Sequence, residues 1–310
     1  MMEESDSWER NTINKMLEMS VKEQRASRRW GIFFKLCFLG YIVLVSTFLF
    51  MGTNSLLHSV QQKPFTAVID VKGMLASDKP ASAQNINPLL RKAFEDPLSR
   101  AIVLRINSPG GSPVQSKQIY TEMKRLRAKH PDKKLYAVIE ESGASGAYWL
   151  ACGADEIYAD ETSIVGSIGV VLSSFGLVDT MKKLGVERRL YTAGDNKAML
   201  DPFSPRDPKQ DAMLNDDLSE VHKLFIDLVK NSRGERLKIS DDMFSGRFWL
   251  GIDAKNLGLI DGFGDTATIA RDVIKVPDLV VFETKESVFS QLGGGFGKYL
   301  GNVLLDYKLG

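Results

Sequence analysis

Residues 101–147 read AIVLRINSPGGSPVQSKQIYTEMKRLRAKHPDKKLYAVIEESGASGA, and their pattern decides the fold class. Two runs rich in β-branched residues, 101–106 and 135–139, have the length of buried strands. Between them, residues 114–129 carry Ile119, Met123 and Leu126 on one helical face, so a helix connects the two runs. A strand, a crossover helix and a second strand make a parallel pair. A third run, FTAVIDV at 65–71, precedes them, and further strands are expected at 156–158, 165–172 and 188–191. Helices are expected at 148–152, 175–184, 208–232, 254–257 and 266–274, with a turn at 245–247. The expectation is an α/β domain with a largely parallel sheet and helices over its faces.

Two glycine turns close the two central strands. Asn107-Ser108-Pro109-Gly110-Gly111 follows the first, and Gly143-Ala144-Ser145-Gly146-Ala147 follows the second. In open α/β sheets ligands bind beyond the carboxyl ends of the strands, where both turns fall. Ser145 stands where a strand gives way to a helix, so its hydroxyl is presented outward. The N–H of Gly146 or its neighbour is free to meet an oxyanion there. Gly110 or Gly111 brings a second backbone N–H close, because glycine lets main chain approach without a Cβ.

A nucleophilic serine needs a base. The three histidines, His58, His130 and His222, all lie outside the strand-end turns. Lys197, in GDNKAMLDPF at 194–203, is the other option. A lysine with its ordinary pKa of about 10.4 is no base at neutral pH, but burial in an apolar pocket disfavours the ammonium form. Ser167, within VGSIGVVL at 165–172, is a hydroxyl able to orient that amine. Taken singly, each turn is commonplace and Lys197 is one surface lysine among many. The physics selects a strand-end serine with two main-chain donors and does not by itself select Lys197. No phosphate loop, His-Glu-x-x-His or dinucleotide fingerprint occurs, so no cofactor and no metal is expected.

Composition is that of a globular protein, and a net charge of +1 gives no basic excess for a nucleic-acid partner. The two cysteines, Cys37 and Cys152, exclude an internal disulfide framework, since Cys37 falls in an apolar segment. That segment, LCFLGYIVLVSTFLFM at 36–51, is uncharged, and a helix over 30–52 covers about 30 Å of hydrocarbon. Lys22, Arg25, Arg28 and Arg29 crowd its N-terminal flank. The positive-inside rule then puts the N-terminus in the cytoplasm and the rest outside the cytoplasmic membrane. The expected division is a cytoplasmic tail at 1–29, an anchor at 30–52, a linker at 53–63, a catalytic domain at 64–290 and a C-terminal tail at 291–310. In the first of these, Ile13, Met16, Leu17 and Val21 lie at helical spacing.

Together the motifs resemble the signal peptide peptidase A (protease IV) family in its short, single-domain form. The resemblance is carried, in order, by Asn107-Ser-Pro-Gly-Gly111, Ala144-Ser-Gly-Ala-Tyr-Trp149, Gly166-Ser-Ile-Gly-Val170 and Gly194-Asp-Asn-Lys197 leading to Pro202-Phe203. Ser245-Gly-Arg247 and Gly258-Leu-Ile-Asp-Gly262 complete it. It implies a Clp protease/crotonase-like fold of repeated β-β-α units, with Ser145 as nucleophile, Lys197 as general base and Ser167 holding the lysine amine. Gly111 and Gly146 would form the oxyanion hole. It also implies a homo-oligomeric ring, octameric in the short form, with serine and lysine from neighbouring subunits, and signal peptides in the membrane as substrates. Ala147 departs from the family pattern, which usually has a second glycine there. Two rival readings share parts of this pattern: an acyl-CoA enzyme of the crotonase type, and a membrane scaffold without catalysis.

Overall fold

The computed structural model describes Met19, Lys22, residues 28–47 and residues 63–283. The expected helix in the N-terminal tail, the end of the anchor at 48–52, most of the linker and residues 284–310 lie outside the described residues. The chain divides into two units, Met1–Lys63 and Pro64–Gly310. In the first, helix α1 (Arg28–Thr47) has 20 residues and is long and apolar enough to cross a membrane. All but one of its residues are exposed.

In the second unit, β1 (Phe65–Lys72), β2 (Ser99–Ser108) and β3 (Leu135–Ala144) form the parallel centre of one sheet. Helix α2 (Ala83–Glu95) joins β1 to β2, and α3 (Pro113–Lys129) joins β2 to β3. After β3 come α4 (Gly146–Ala151), β4 (Glu156–Ala159), β5 (Ile164–Gly166), α5 (Val178–Leu184) and α6 (Pro208–Arg233). The described residues go on to β6 (Phe248–Leu250), α7 (Gly251–Asn256), β7 (Gly262–Phe263), α8 (Thr266–Thr268) with a π turn at Ile269–Ile274, and β8 (Leu279–Phe282). The main path runs β6-β5-β3-β2-β1-β8, and only the β5–β6 pair is antiparallel. The structure is thus α/β, as the sequence suggested.

The alternation of side chains fills two cores. Ala67, Ile69 and Val71 of β1, with Ile102, Leu104 and Ile106 of β2, face the helices, while Val68, Ala101, Val103 and Val138 face Ile269 on the other side. β3 changes neighbours along its length. Tyr136–Ile139 pair with β4, and Ser142–Ala144 pair with β5. That change turns the carboxyl end of β3 toward the short β5 and opens the corner where Ser145 sits.

Several expected elements differ, among them the helix expected at 254–257, which is Gly251–Asn256. The strand over 165–172 is only Ile164–Gly166, because Gly166 (φ 91°) and Ser167 (φ 51°) are both left-handed and break the pleat. Helix α5 begins three residues later than expected, and its Gly185 cap is left-handed (φ 68°). No strand forms at 188–191, where Tyr191 is 90% exposed: the apolar pattern was that of an uncovered surface. Helix α2 and strands β6, β7 and β8 were not expected. Pro88 inside α2 obscured a helix whose Ile86, Leu90, Ala93 and Phe94 are buried at helical spacing.

Candidate active site

Strand β3 ends at Ala144, and Ser145 swings the chain into α4 with φ 53° and ψ −124°. A non-glycine residue held in such a region costs about 1–3 kcal/mol, so the surroundings must impose it. The Ser145 N–H donates to the Gly166 carbonyl at 2.7 Å, and its carbonyl accepts the Trp149 N–H at 3.0 Å. Gly110 backs directly onto it. A Cβ there would lie 2.7 Å from both Ala144 O and Gly146 N, and 2.9 Å from Ser145 Cβ. This strand–turn–helix geometry lifts a serine hydroxyl clear of the sheet. The hydroxyl does not cap the helix.

The Pro109-Gly110-Gly111 turn is strapped in place by Leu75, which sequence reading missed. The Leu75 N–H donates to Gly110 O and the Ser112 N–H donates to Leu75 O, both at 2.8 Å. Leu75 gives no sequence signal beyond being apolar two residues after Gly73. Gly111, with φ 143°, admits no side chain, since a Cβ would collide with the Leu75 carbonyl. Among the described residues, neither the Gly111 N–H nor the Gly146 N–H donates to a backbone or side-chain acceptor. The two groups are neighbours: a Cβ on Gly146 would lie 3.3 Å from Gly111 N and 2.5 Å from Ser116 Oγ. Two unpaired donors therefore adjoin one serine, the arrangement an oxyanion requires.

Ala147, the departure from the expected glycine, is fully buried in the main core and adds its methyl there rather than to the surface beside Ser145. Its neighbour Tyr148 is also buried and donates to the Leu259 carbonyl at 2.7 Å, and burial pushes its phenol well up. Trp149 stacks on Phe225 of α6, with ring centroids 4.9 Å apart.

Ser167 lies after β5, in a turn rather than within a strand. Its N–H donates to Arg247 O at 3.0 Å and its hydroxyl to Gly246 O at 3.3 Å, which explains why Ser245-Gly246-Arg247 belongs with this segment. Lys197 is not in an apolar pocket. It is exposed, and among the described residues of the protomer its ammonium makes no hydrogen bond or ion pair. The fold thus brings Ser145, Gly110, Gly111, Gly146 and Ser167 to one corner and leaves Lys197 on a surface arm.

The Gly258–Gly262 motif turns out to be structural. Arg233, 2% exposed, grips Asp261 with two 2.8 Å hydrogen bonds, and the Ile157 N–H donates to the same carboxylate at 2.7 Å. Burial works against ionisation of Asp261, but the Arg233 hydrogen bonds and charge outweigh it and hold the carboxyl below its usual range. Among the described residues, no group of three or more His, Cys, Asp or Glu is arranged to hold a metal ion.

Residues 127–276 match the model of peptidase family S49. A putative protease of Methanocaldococcus jannaschii is 30% identical over 242 residues, covering 75% of this chain and 76% of that one. A putative signal peptide peptidase SppA of Enterococcus faecium is 28% identical over 228 residues, 73% of this chain and 64% of its own length. A Brucella melitensis protein named Na(+)/H(+) antiporter NhaA is 50% identical over 183 residues. The match is 59% of this chain but only 25% of that much longer relative. The chain belongs to peptidase family S49, and it is similar to proteins named signal peptide peptidase SppA and protease 4.

Proposed function

We propose that the chain degrades hydrophobic peptides, signal peptides left in the membrane first among them, with Ser145 as nucleophile and Lys197 of a neighbouring copy as general base. The observation that carries this reading is the Ser145 corner, a strained serine flanked by two unpaired glycine N–H groups. The lysine assignment rests on family pattern and on exposure. Lys197 sits on an arm whose Val171, Phe175 and Tyr191 are 88%, 82% and 90% exposed, a surface suited to a second copy in a ring.

The neutral Lys197 amine takes the Ser145 hydroxyl proton as the oxygen attacks the peptide carbonyl. The developing oxyanion is held by the Gly111 and Gly146 N–H groups. The lysine then gives its proton to the departing amine, and water activated by the same amine releases the acyl group from Ser145. Ser167 fits the orienting role because its hydroxyl hydrogen is committed to Gly246 O, which leaves its lone pairs to accept from the lysine. Helix α1 anchors the enzyme, with the N-terminus cytoplasmic and the catalytic unit outside the cytoplasmic membrane.

The test is hydrolysis of a signal peptide by purified protein in detergent, with Ser145→Ala and Lys197→Ala as variants. Both are expected to lose activity, and wild-type protein is expected to be labelled at Ser145 by a serine-directed fluorophosphonate. Near wild-type turnover by either variant contradicts the dyad.

A further inference from the structure

We infer that His222 is a positioning residue for peptide substrate, holding the segment that runs from Ser167 past Gly169 beside the nucleophile. The histidine lies on α6, and its Nε2 is 3.1 Å from the Ile168 carbonyl oxygen. A carbonyl can only accept, so Nε2 carries the hydrogen and donates it. The bond joins residues 54 apart in sequence, and its acceptor directly follows two positions that matter. One residue before it, Ser167 is tied to the Gly246 and Arg247 carbonyls. Two residues before it, the Gly166 carbonyl receives the N–H of Ser145 itself.

Beyond Ile168 the chain has no such support. Among the described residues, the backbone N–H groups of Gly169, Val170 and Val171 have no partner, and Val171 is almost wholly exposed. A stretch of unpaired backbone beside a nucleophilic serine is an edge onto which an extended peptide adds as a strand. Its geometry must be fixed from the other side, and α6 does this. Three residues along the helix from His222, Phe225 packs on Trp149 of α4, which follows Ser145. One face of α6 thus braces the serine helix through Phe225 and the substrate edge through His222. Gly169 lies so close to Gly246 that a Cβ would be 2.8 Å from the Gly246 Cα, and the histidine bond keeps the Ile168–Gly169 peptide seated in that close approach.

This inference rests on Ser145 being the nucleophile but not on Lys197 being the base. The experiment compares wild-type protein with His222→Phe and His222→Gln, reading kcat and KM for an extended signal peptide and the rate of Ser145 acylation by a small fluorophosphonate. His222→Phe is expected to lower peptide kcat/KM about tenfold, mainly through KM, since one hydrogen bond to a half-buried carbonyl is lost. His222→Gln, which keeps a donor, is expected to recover most of that loss. The small probe does not use the edge, so its rate should stay within about twofold of wild type in both variants. Unchanged peptide kinetics in His222→Phe overturn the inference. So does a parallel fall in probe rate, which would put His222 in the proton-transfer chemistry. Melting temperatures of the three proteins separate these outcomes from unfolding. Turnover surviving in Ser145→Ala would instead remove the nucleophile assignment, whatever His222 does.

Discussion

The Ser145 corner and the arm from Ser167 to Arg206 lie side by side in sequence and differ in almost every physical respect. Around Ser145 the chain is over-determined: Ala147, Tyr148, Trp149 and Leu150 are buried, Gly110 fits against the serine backbone, and Leu75 straps the opposing turn. Beyond Ile168 the arm is tied largely to itself, the Gln210 amide on the Asp195 carbonyl apart. Asp201 accepts from the Ser204 hydroxyl at 2.7 Å and pairs with Arg188 at 3.6 Å, and the Leu177 N–H reaches Pro202 O at 2.7 Å, yet α5 buries no residue. Between the arm and the start of α6 lies a cleft of about 610 Å³, lined by Phe175, Leu200, Gln210 and Leu214 among others. The difference separates two kinds of preorganisation. On the proposed mechanism, the nucleophile and its oxyanion donors are fixed by a protomer's own packing, whereas the general-base amine needs a covering surface from a second copy.

The strongest way to break that contrast is at the serine. Ser145→Ala should lower kcat/KM for a peptide by at least about 10⁴-fold with little change in melting temperature, because the core holding the turn is untouched. Next comes the backing glycine. Gly110→Ala places a methyl against Ala144 O and Gly146 N at a residue with φ 100°, and should cost roughly 10²–10³-fold in kcat together with a lowered melting temperature. If Gly110→Ala proves harmless, the corner is not the rigid element described here.

Away from the chemistry, Asp261→Asn should destabilise the folded chain by about 3 kcal/mol in urea titration, since Arg233 is left buried without its counter-charge. The carboxyl of Asp261 is depressed in the folded state. Its contribution is therefore complete above the ordinary aspartate value near pH 3.9 and is lost as pH falls through the lower folded value. Acid unfolding of the Asn variant should accordingly be shallower than that of wild type. The smallest effect on protomer stability belongs to the arm. Phe175→Ser and Tyr191→Ser should change it by less than about 0.5 kcal/mol, yet reduce assembly by analytical ultracentrifugation and reduce activity with it. A large loss of stability in either would show that the arm is core after all.

Much of the architecture was legible because the decisive strands are uniform. The β1, β2 and β3 runs are apolar on both faces, and the glycine turns mark where they stop. Ser145 and its glycines followed from the same punctuation. What was illegible depended on tertiary context. VGSIGVVL reads as one strand, but whether Gly166 and Ser167 turn left-handed is decided by Ser145 and by Gly246, far away in sequence. Leu75 and His222 act through single backbone bonds that no local pattern announces. Lys197 stands out only by its neighbours in a motif, and the protomer gives it no partner among the described residues.

The central claim is that one copy supplies the serine and another the lysine, and mixing two inactive variants tests it most directly. Ser145→Ala and Lys197→Ala proteins, dissociated, combined in equal amounts and reassembled, should regain roughly a quarter of wild-type activity, the share of interfaces joining an intact serine to an intact lysine. A mixture as inactive as its two components, with assembly verified, would contradict the account.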